Sequence, residues 1–179
     1  MIIDVAFEVC KDYEYADIEL PKRATKFSVG YDFSCPHPVV IEPKSKVMIP
    51  THVKCSMPPD VWLGIFSRSS LHKRGLHHFL GCGVIDSDYY GNSINDGDIG
   101  VILENTTDEP VHIKTGEKIA QGIFFHAFFG PDEVEEERTG GFGSTDKEEY
   151  NGRNYLGNNY VHYNPVGYQE ILGTGGQNW

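Results

Sequence analysis

The chain has 179 residues, a length that suits one domain with a complete hydrophobic core and a tail. Its formal net charge of −11 argues against general binding to nucleic acid, because a protein that neutralises phosphates needs a basic surface. The four cysteines include no C-x-x-C pair and the first residues include no long apolar run. We therefore expect neither a zinc site nor a membrane span, and we expect a cytoplasmic location.

The 20 glycines and 10 prolines predict many turns and short strands rather than long helices. Ten segments rich in β-branched or aromatic residues are predicted strands: residues 2–9, 27–33, 39–41, 46–49, 53–57, 61–66, 79–85, 100–104, 111–114 and 119–128. One short helix is predicted over residues 69–75, with Gly75 at its end. Strands without intervening helices predict an all-β domain, either a sandwich, a jelly roll or a barrel.

The composition of the chain changes after Pro131. Residues 1–131 are the predicted β domain. Residues 132–146 contain an acidic linker followed by a glycine-rich arm, which we expect to be flexible. Residues 147–179 are rich in Tyr, Asn and Gly and bury little core, so we expect an extension whose role the sequence leaves open.

Residues 83–91 combine an apolar strand end, an acidic cluster and two tyrosines. Val84-Ile85 predicts a strand, the acidic cluster that begins at Asp86 predicts its turn, and Tyr89-Tyr90 predicts the start of a returning strand. A carboxylate at the edge of such a hairpin can orient a water, and a tyrosine can pack on a flat ring or a sugar. The alternative interpretation is an ordinary acidic turn of a β protein.

Three further positions carry groups suited to an anionic ligand. Arg68-Ser69-Ser70 follows a predicted strand and offers a guanidinium, two hydroxyls and the N–H groups of a turn start, unless the arginine is only salt-bridged. Gln121 lies in a predicted strand, where its amide can bind a ligand or a neighbouring backbone group. Asp32 follows Gly30 and can hold a metal-bound water, although a simple surface role is equally consistent with the sequence.

The glycine-rich arm, residues 140–145, places one aromatic residue among three glycines. Such a backbone can curl so that its amide groups face a phosphate, while Phe142 closes over a flat base. Arg138 adds a positive charge just before the arm. The alternative interpretation is a flexible linker.

In this order, five segments resemble the five motifs of the trimeric dUTPase family: residues 29–32, 66–70, 83–91, 116–121 and 140–145. The resemblance covers residues 1–146. It implies a jelly roll, or distorted β-barrel, assembled as a homotrimer with active sites shared between subunits. It also implies hydrolysis of dUTP to dUMP and diphosphate with Mg²⁺ as cofactor. The size, an insertion and the tail suggest a phage-borne or bacterial member.

The resemblance also implies roles for individual residues. Asp86 would orient and activate the attacking water, and Tyr89 would stack beneath the deoxyribose and leave no room for a 2′-hydroxyl. Asp32 would touch a water of the metal shell. The backbone of Gly83, Val84 and Ile85 would bind uracil. The phosphates would be held by Arg68, Ser69, Ser70 and Gln121. Another subunit's arm would contribute Arg138, Phe142, Gly143 and Ser144.

The sequence departs from the family pattern at several points. Ser67 stands where the family usually has proline, and Asp146 replaces the usual closing glycine. Arg138 is one residue closer to Phe142 than is usual in the family. Residues 92–99 lengthen the segment after the third motif, and this insertion is a candidate binding site for a regulatory protein.

Two other functions are consistent with these motifs. A dCTP deaminase, or a bifunctional deaminase and diphosphatase, shares the fold and a similar Arg-Ser-Ser segment. That activity needs a catalytic glutamate where this chain has Ile102, and Glu104 lies two residues further on. The second alternative is a dUTPase-like scaffold whose main task is to bind a regulatory protein, through the insertion or the tail.

Overall fold

The structure is a computed structural model and describes residues 4–131. Its twelve strands, in chain order, are β1 (Ala6–Val9), β2 (Lys22–Arg23), β3 (Tyr31–Ser34), β4 (Val39–Ile41), β5 (Lys46–Pro50), β6 (Val53–Ser56), β7 (Val61–Phe66), β8 (Leu76–His78), β9 (Cys82–Ile85), β10 (Gly100–Asn105), β11 (Val111–Ile113) and β12 (Lys118–His126). One α-helix, α1 (Ser69–His72), and two 3₁₀ turns, Lys11–Tyr13 and Ser87–Tyr89, complete the described elements. The prediction of an all-β domain is confirmed.

Every strand pair in the described chain is antiparallel, and most neighbours in space are distant in sequence. The largest sheet has the order β2-β3-β12-β7-β9, a second has the order β5-β10-β8, and two further sheets contain β1-β6 and β11-β4. Antiparallel strands with such crossovers are typical of a jelly roll. The expected jelly-roll fold is therefore present.

Alternation of side chains decides which face of the large sheet packs inward. Leu63 and Ile65 on β7 are buried in the core, while Trp62 and Phe66 lie half-buried on the opposite, outer face. Burial of a side chain such as Leu63 contributes about 1.5–3 kcal/mol to stability. The side chains on the outer face of the same sheet are not part of the core and are available for binding.

The prediction of a hairpin over residues 83–91 is wrong. β9 pairs only with β7 among the described strands, and the next strand, β10, pairs with β5 and β8 in another sheet. Gly91, Asp96 and Gly97 have φ values of 68°, 59° and 87°, in the left-handed region that interrupts extended backbone. The chain after Ile85 therefore forms a 3₁₀ turn and a folded loop instead of a returning strand.

Smaller differences concern where the elements begin and end. β3 begins at Tyr31 instead of residue 27, and the predicted strand 79–85 begins only at Cys82, after Gly81 with its φ of 72°. β8, residues 76–78, lies outside the predicted strands. The helix is shorter than predicted and ends three residues before Gly75. Within the described range, no helix is long and apolar enough to cross a membrane. The predicted arm and C-terminal extension, residues 132–179, lie outside the described residues.

Candidate active site

A charged cluster on the outer face of the large sheet is centred on Asp32 of β3. Arg68, which immediately precedes α1, places its Nε 2.8 Å from Asp32 Oδ1. Lys118 at the start of β12 places its Nζ 2.9 Å from Asp32 Oδ2. The Asp32 side chain is only 10% exposed, and its negative charge is paired with these two positive charges, which lie nearer the surface. Two cations on one carboxylate leave a net positive group, which suits an anionic ligand.

Gln121 lies between Asp32 and Phe66 in the strand register, on the same outer face. Its Nε2 donates to the backbone carbonyl of Ser67, 3.0 Å away. A Cβ atom added to Gly30 would lie 2.8 Å from Gln121 Oε1, so a larger residue at position 30 would displace the end of the Gln121 side chain. The structure therefore brings together Asp32, Arg68 and Gln121, three of the residues predicted from the sequence.

Sequence analysis missed Lys118 as a member of this cluster. Strict alternation along a strand would place Lys118 and Gln121, three residues apart, on opposite faces. A register shift between Lys118 and Ala120 adds one residue to β12, so Lys118 pairs with Ser34 and joins the face that carries Asp32. The two consecutive buried residues Ile119 and Ala120 mark this bulge, but the sequence contains no clear signal for it.

Asp86 follows the last residue of β9 and precedes the 3₁₀ turn, whose Tyr89 N–H donates to the Asp86 carbonyl at 3.1 Å. Its side chain is half-buried. β9 is an edge strand, and within residues 4–131 no strand pairs with its outer side. Val84 is 59% exposed and Ile85 is buried, so Val84 lies on the outer face of the sheet directly before the carboxylate.

The strand register separates Asp86 from the charged cluster within one protomer. Ile85 pairs with Leu63, so Asp86 lies near the Trp62 end of β7, whereas Gln121 pairs with Phe66 at the other end. Four residues of extended strand span about 13 Å. The sheet of one subunit therefore does not bring Asp86 and Arg68 onto the same small ligand.

Tyr89 is held firmly in the protomer and is only 4% exposed. Its hydroxyl donates to the carbonyl of Asp98, 3.0 Å away, and accepts from Asn95 Nδ2 at 2.9 Å. The ring is thus fixed next to Asp86, and a ligand can reach only a small part of it. Asn95 lies in the insertion, and sequence analysis did not identify it.

The thiols offer little nucleophilic chemistry. All four cysteines are free, and burial raises the pKa of Cys10 and Cys55 to about 12 and that of Cys35 to about 11. These thiols stay protonated near neutral pH. Among the described residues, no group of three His, Cys, Asp or Glu side chains is arranged to hold a metal ion.

Comparison with known proteins identifies the family. A family model described as dUTPase matches residues 16–146. The chain belongs to the dUTPase family. The deoxyuridine 5′-triphosphate nucleotidohydrolase of Lactococcus lactis is 43% identical over 143 residues, which cover 78% of this chain and 95% of that relative. The human mitochondrial relative of that name is 34% identical over 135 residues, covering 71% of this chain and 50% of that protein.

A solved structure agrees with this assignment. The dUTPase from Streptococcus mutans superposes with a TM-score of 0.67 at 37% identity, covering 70% of this chain and 98% of that chain. A dUTPase from phage phi11 of Staphylococcus aureus shares the fold, with a TM-score of 0.60 at 24% identity. The expected family membership is confirmed, and the chain is a dUTP diphosphatase, an enzyme that hydrolyses dUTP.

Several positions can now be compared with the dUTPase pattern. Ser67, which replaces the usual proline, accepts a hydrogen bond from the backbone N–H of His78 at 2.7 Å through its hydroxyl and so ties β8 to the second motif. Ser69 and Ser70 are exposed at the start of α1. Arg68 Nη1 lies 3.4 Å from the Ser70 hydroxyl. The arm residues expected in the dUTPase site lie outside the described residues: Arg138, Phe142, Gly143 and Ser144.

The position that would carry a deaminase glutamate is apolar and buried. Ile102 is 6% exposed and pairs with Met48 of β5. Glu104 is placed between Lys46 and His77 in the adjacent strands. The described residues therefore place no carboxylate at the position of Ile102, in agreement with the dUTPase assignment.

Proposed function

We propose that the chain converts dUTP to dUMP and diphosphate by attack of a water on the α-phosphorus, with Asp86 orienting that water. The observation that carries this proposal is the position of Asp86, half-buried at the end of an edge strand and beside the fixed ring of Tyr89. The carboxylate accepts a hydrogen bond from the water and directs its lone pair at phosphorus. As the water oxygen bonds to the α-phosphorus its proton passes to the Asp86 carboxylate, the bond from the α-phosphorus to the oxygen that bridges to the β-phosphorus breaks, and diphosphate leaves.

The edge of β9 supports the expected mode of uracil binding. Because no described strand pairs with the outer side of β9, backbone N–H and C=O groups near Gly83 to Ile85 are placed to bind the base. We assign the sugar to the exposed part of the Tyr89 ring, and this assignment rests on the family resemblance.

The charged cluster supplies the phosphate-binding groups. Arg68 offers a planar fork of donors for phosphate oxygens, and Lys118 adds a second cation beside it. The amide of Gln121 and the hydroxyls of Ser69 and Ser70 complete the proposed set. Asp32 holds the Arg68 guanidinium at the surface, where its remaining N–H donors can bind phosphate oxygens.

The described donors fit an indirect role for Mg²⁺. Mg²⁺ keeps several waters and is usually held by one or two carboxylates together with substrate phosphates. The described chain has no dedicated cluster of three ligands, and both Asp32 oxygens already contact cations. Asp32 would therefore contact the ion through a water, and the ion would neutralise charge on the triphosphate.

We further propose a homotrimer whose active sites are shared between subunits. Two observations support this assembly: Asp86 and Arg68 lie at opposite ends of one sheet, and the outer face between them is apolar. Trp62 and Phe125 stack there with ring centroids 4.6 Å apart, and Phe66 packs edge-on against Phe125. An apolar face of this kind is suited to cover by a second copy of the chain. The three buried free thiols are consistent with a cytoplasmic location.

A nucleotide panel tests the proposed reaction. Purified protein with Mg²⁺ is given dUTP, dCTP, dTTP and UTP, and the release of diphosphate and of ammonia is followed separately. We expect diphosphate from dUTP alone, and Asp86→Asn should lower that turnover by several powers of ten. Asp108→Asn, in an exposed turn, is the matched control and should retain activity. Ammonia from dCTP, or full activity of Asp86→Asn, would contradict the proposal.

A further inference from the structure

The insertion, residues 92–99, is folded around one side-chain amide, that of Asn95. Its Nδ2 donates to the Tyr89 hydroxyl at 2.9 Å and to the Asp98 carbonyl at 3.1 Å. Its Oδ1 accepts from Asn92 Nδ2 at 2.8 Å and from the Gly97 N–H at 3.2 Å. The amide thus uses both its donor side and its acceptor side within the protein.

The loop is also anchored to the rest of the fold. Asp96 accepts from Lys54 Nζ at 2.8 Å and from the Lys11 backbone N–H at 2.9 Å, and the Lys54 and Asp96 side chains are 12% and 13% exposed. Asp98 accepts from the His52 backbone N–H at 2.8 Å and contacts His52 Nδ1 at 3.1 Å. These partners lie on or next to β6 and the first 3₁₀ turn, so the loop connects that region to Tyr89.

Tyr89 meets the loop at two points. Its hydroxyl donates to one loop residue, Asp98, and accepts from another, Asn95. Its backbone carbonyl accepts from Asn92 Nδ2 at 2.9 Å. A ring held at both its hydroxyl and its backbone cannot swing aside to admit a larger sugar.

We propose that Asn95 is a positioning residue that fixes Tyr89 and thereby sets the preference for deoxyribose over ribose. The inference rests on the proposed contact between Tyr89 and the sugar. A fixed ring leaves no room for a 2′-hydroxyl, whereas a ring free to shift by a fraction of an ångström can accommodate one. The insertion thus contributes to substrate selection, because its Asn and Asp side chains form hydrogen bonds within the fold that hold Tyr89 in place.

The test uses an isosteric substitution. Asn95→Asp keeps the size of the side chain and the acceptor oxygen toward Gly97, but it replaces the Nδ2 that donates to Tyr89 and to the Asp98 carbonyl by an oxygen that repels that carbonyl. We expect the ratio of kcat/KM for dUTP to kcat/KM for UTP to fall about three- to tenfold, the loss typical of one neutral hydrogen bond. Both kcat/KM values are measured on one preparation, so a reduced fraction of folded protein lowers both equally and leaves their ratio unchanged. Ile94→Ala, in the same loop at a side chain that is 71% exposed, is the control and should keep the ratio.

A double-mutant cycle separates positioning from general damage to the loop. Tyr89→Phe leaves the loop residues intact but removes the hydroxyl with its contacts to Asn95 and Asp98, and it should lower the ratio at least as much as Asn95→Asp does. The loss in the double variant should be smaller than the product of the two single losses, because both changes remove the contact between Asn95 and the Tyr89 hydroxyl. An unchanged ratio in both single variants, or losses that simply multiply, would overturn the inference.

The failure of this inference can be distinguished from failure of the proposed reaction. Absence of dUTP hydrolysis by the unsubstituted protein would overturn the proposed function. In that event the same variants are titrated calorimetrically with the α,β-imido analogues of dUTP and UTP, and the ratio of the two dissociation constants replaces the kinetic ratio. An unchanged ratio in Asn95→Asp would then overturn the inference as well.

Discussion

Arg68 and Asp32 form an ion pair, Nε to Oδ1 2.8 Å, although β12 separates β3, which carries Asp32, from β7, which Arg68 follows. Asp32 is nearly buried and Arg68 is 28% exposed, so the carboxylate holds the guanidinium at the surface in a fixed orientation. A guanidinium that is already oriented loses less side-chain entropy when it binds a phosphate. This relationship makes Arg68 the centre of the proposed phosphate site.

Arg68→Lys should weaken dUTP binding, because lysine offers a point charge and loses the planar pair of donors. We expect KM for dUTP to rise about 10- to 100-fold, the effect of losing one charge-assisted hydrogen bond. Steady-state kinetics measures it. Arg23→Lys is the matched control, since the Arg23 guanidinium donates to the backbone carbonyls of residues 26 and 28 and lies over the Tyr31 ring, away from the charged cluster. Equal KM values for Arg68→Lys and the unsubstituted protein would remove Arg68 from the site.

Gly30→Ala should displace the side chain of Gln121 without disturbing the core. The new Cβ would lie 2.8 Å from Gln121 Oε1, and the flexible end of that side chain is the atom that has to move. We expect KM for dUTP to rise several-fold, in the same direction as in Gln121→Leu, with a melting temperature close to that of the unsubstituted protein. Val29→Ala, at an adjacent side chain that is 68% exposed, is the control. A rise in KM for Gln121→Leu but not for Gly30→Ala would refute the steric argument.

Stability should decline on mild acidification because two histidines are buried. Burial lowers the pKa of His37 and of His78 below the ordinary value of 6.5. The unfolded chain therefore binds these protons at a higher pH than the folded chain, so the free energy of unfolding is greatest above pH 6.5 and falls as the pH drops below it. Each group contributes at most about 1.4 kcal/mol per pH unit.

Urea unfolding at pH 7.5 and pH 5.5, at one fixed protein concentration, measures this decline. His78→Gln should reduce the difference between the two pH values, while His112→Gln, at an exposed side chain on β11, should not. The account of His78 would be contradicted by a pH dependence that is identical in the two variants.

Local sequence patterns predicted most of the strands because burial alternates along them. β7 is an example: Leu63 and Ile65 are buried while Trp62 is half-buried, and the predicted bounds agree with the structure. The prediction was wrong after Ile85, where two aromatic residues favour a strand but the following loop supplies competing partners. Asn92 and Asn95 there replace strand pairing with side-chain hydrogen bonds.

The candidate site was predicted in part for a related reason. Asp32, Arg68 and Gln121 stand in motifs of fixed order, and the structure brings them together. Lys118 was not predicted, because the bulge in β12 places its side chain on the opposite face of the sheet from the one that strict alternation predicts. Asn95 was not predicted, because its role depends on contacts within a loop, and a loop has no periodic sequence pattern. The roles predicted for Tyr89 and for the arm residues stay predictions.

The shared active site can be tested by subunit complementation. Asp86→Asn and Arg68→Ala are each prepared alone and then as mixed oligomers, isolated by two different affinity tags, and assayed at a dUTP concentration at which neither variant alone turns over. If one subunit supplies Asp86 and its neighbour supplies Arg68, every mixed homotrimer contains one intact site, about one third of its sites. Diphosphate release at about that level is the predicted result. Mixed oligomers that are as inactive as the separate variants would show that both residues must come from one chain, which contradicts the separation seen along β7.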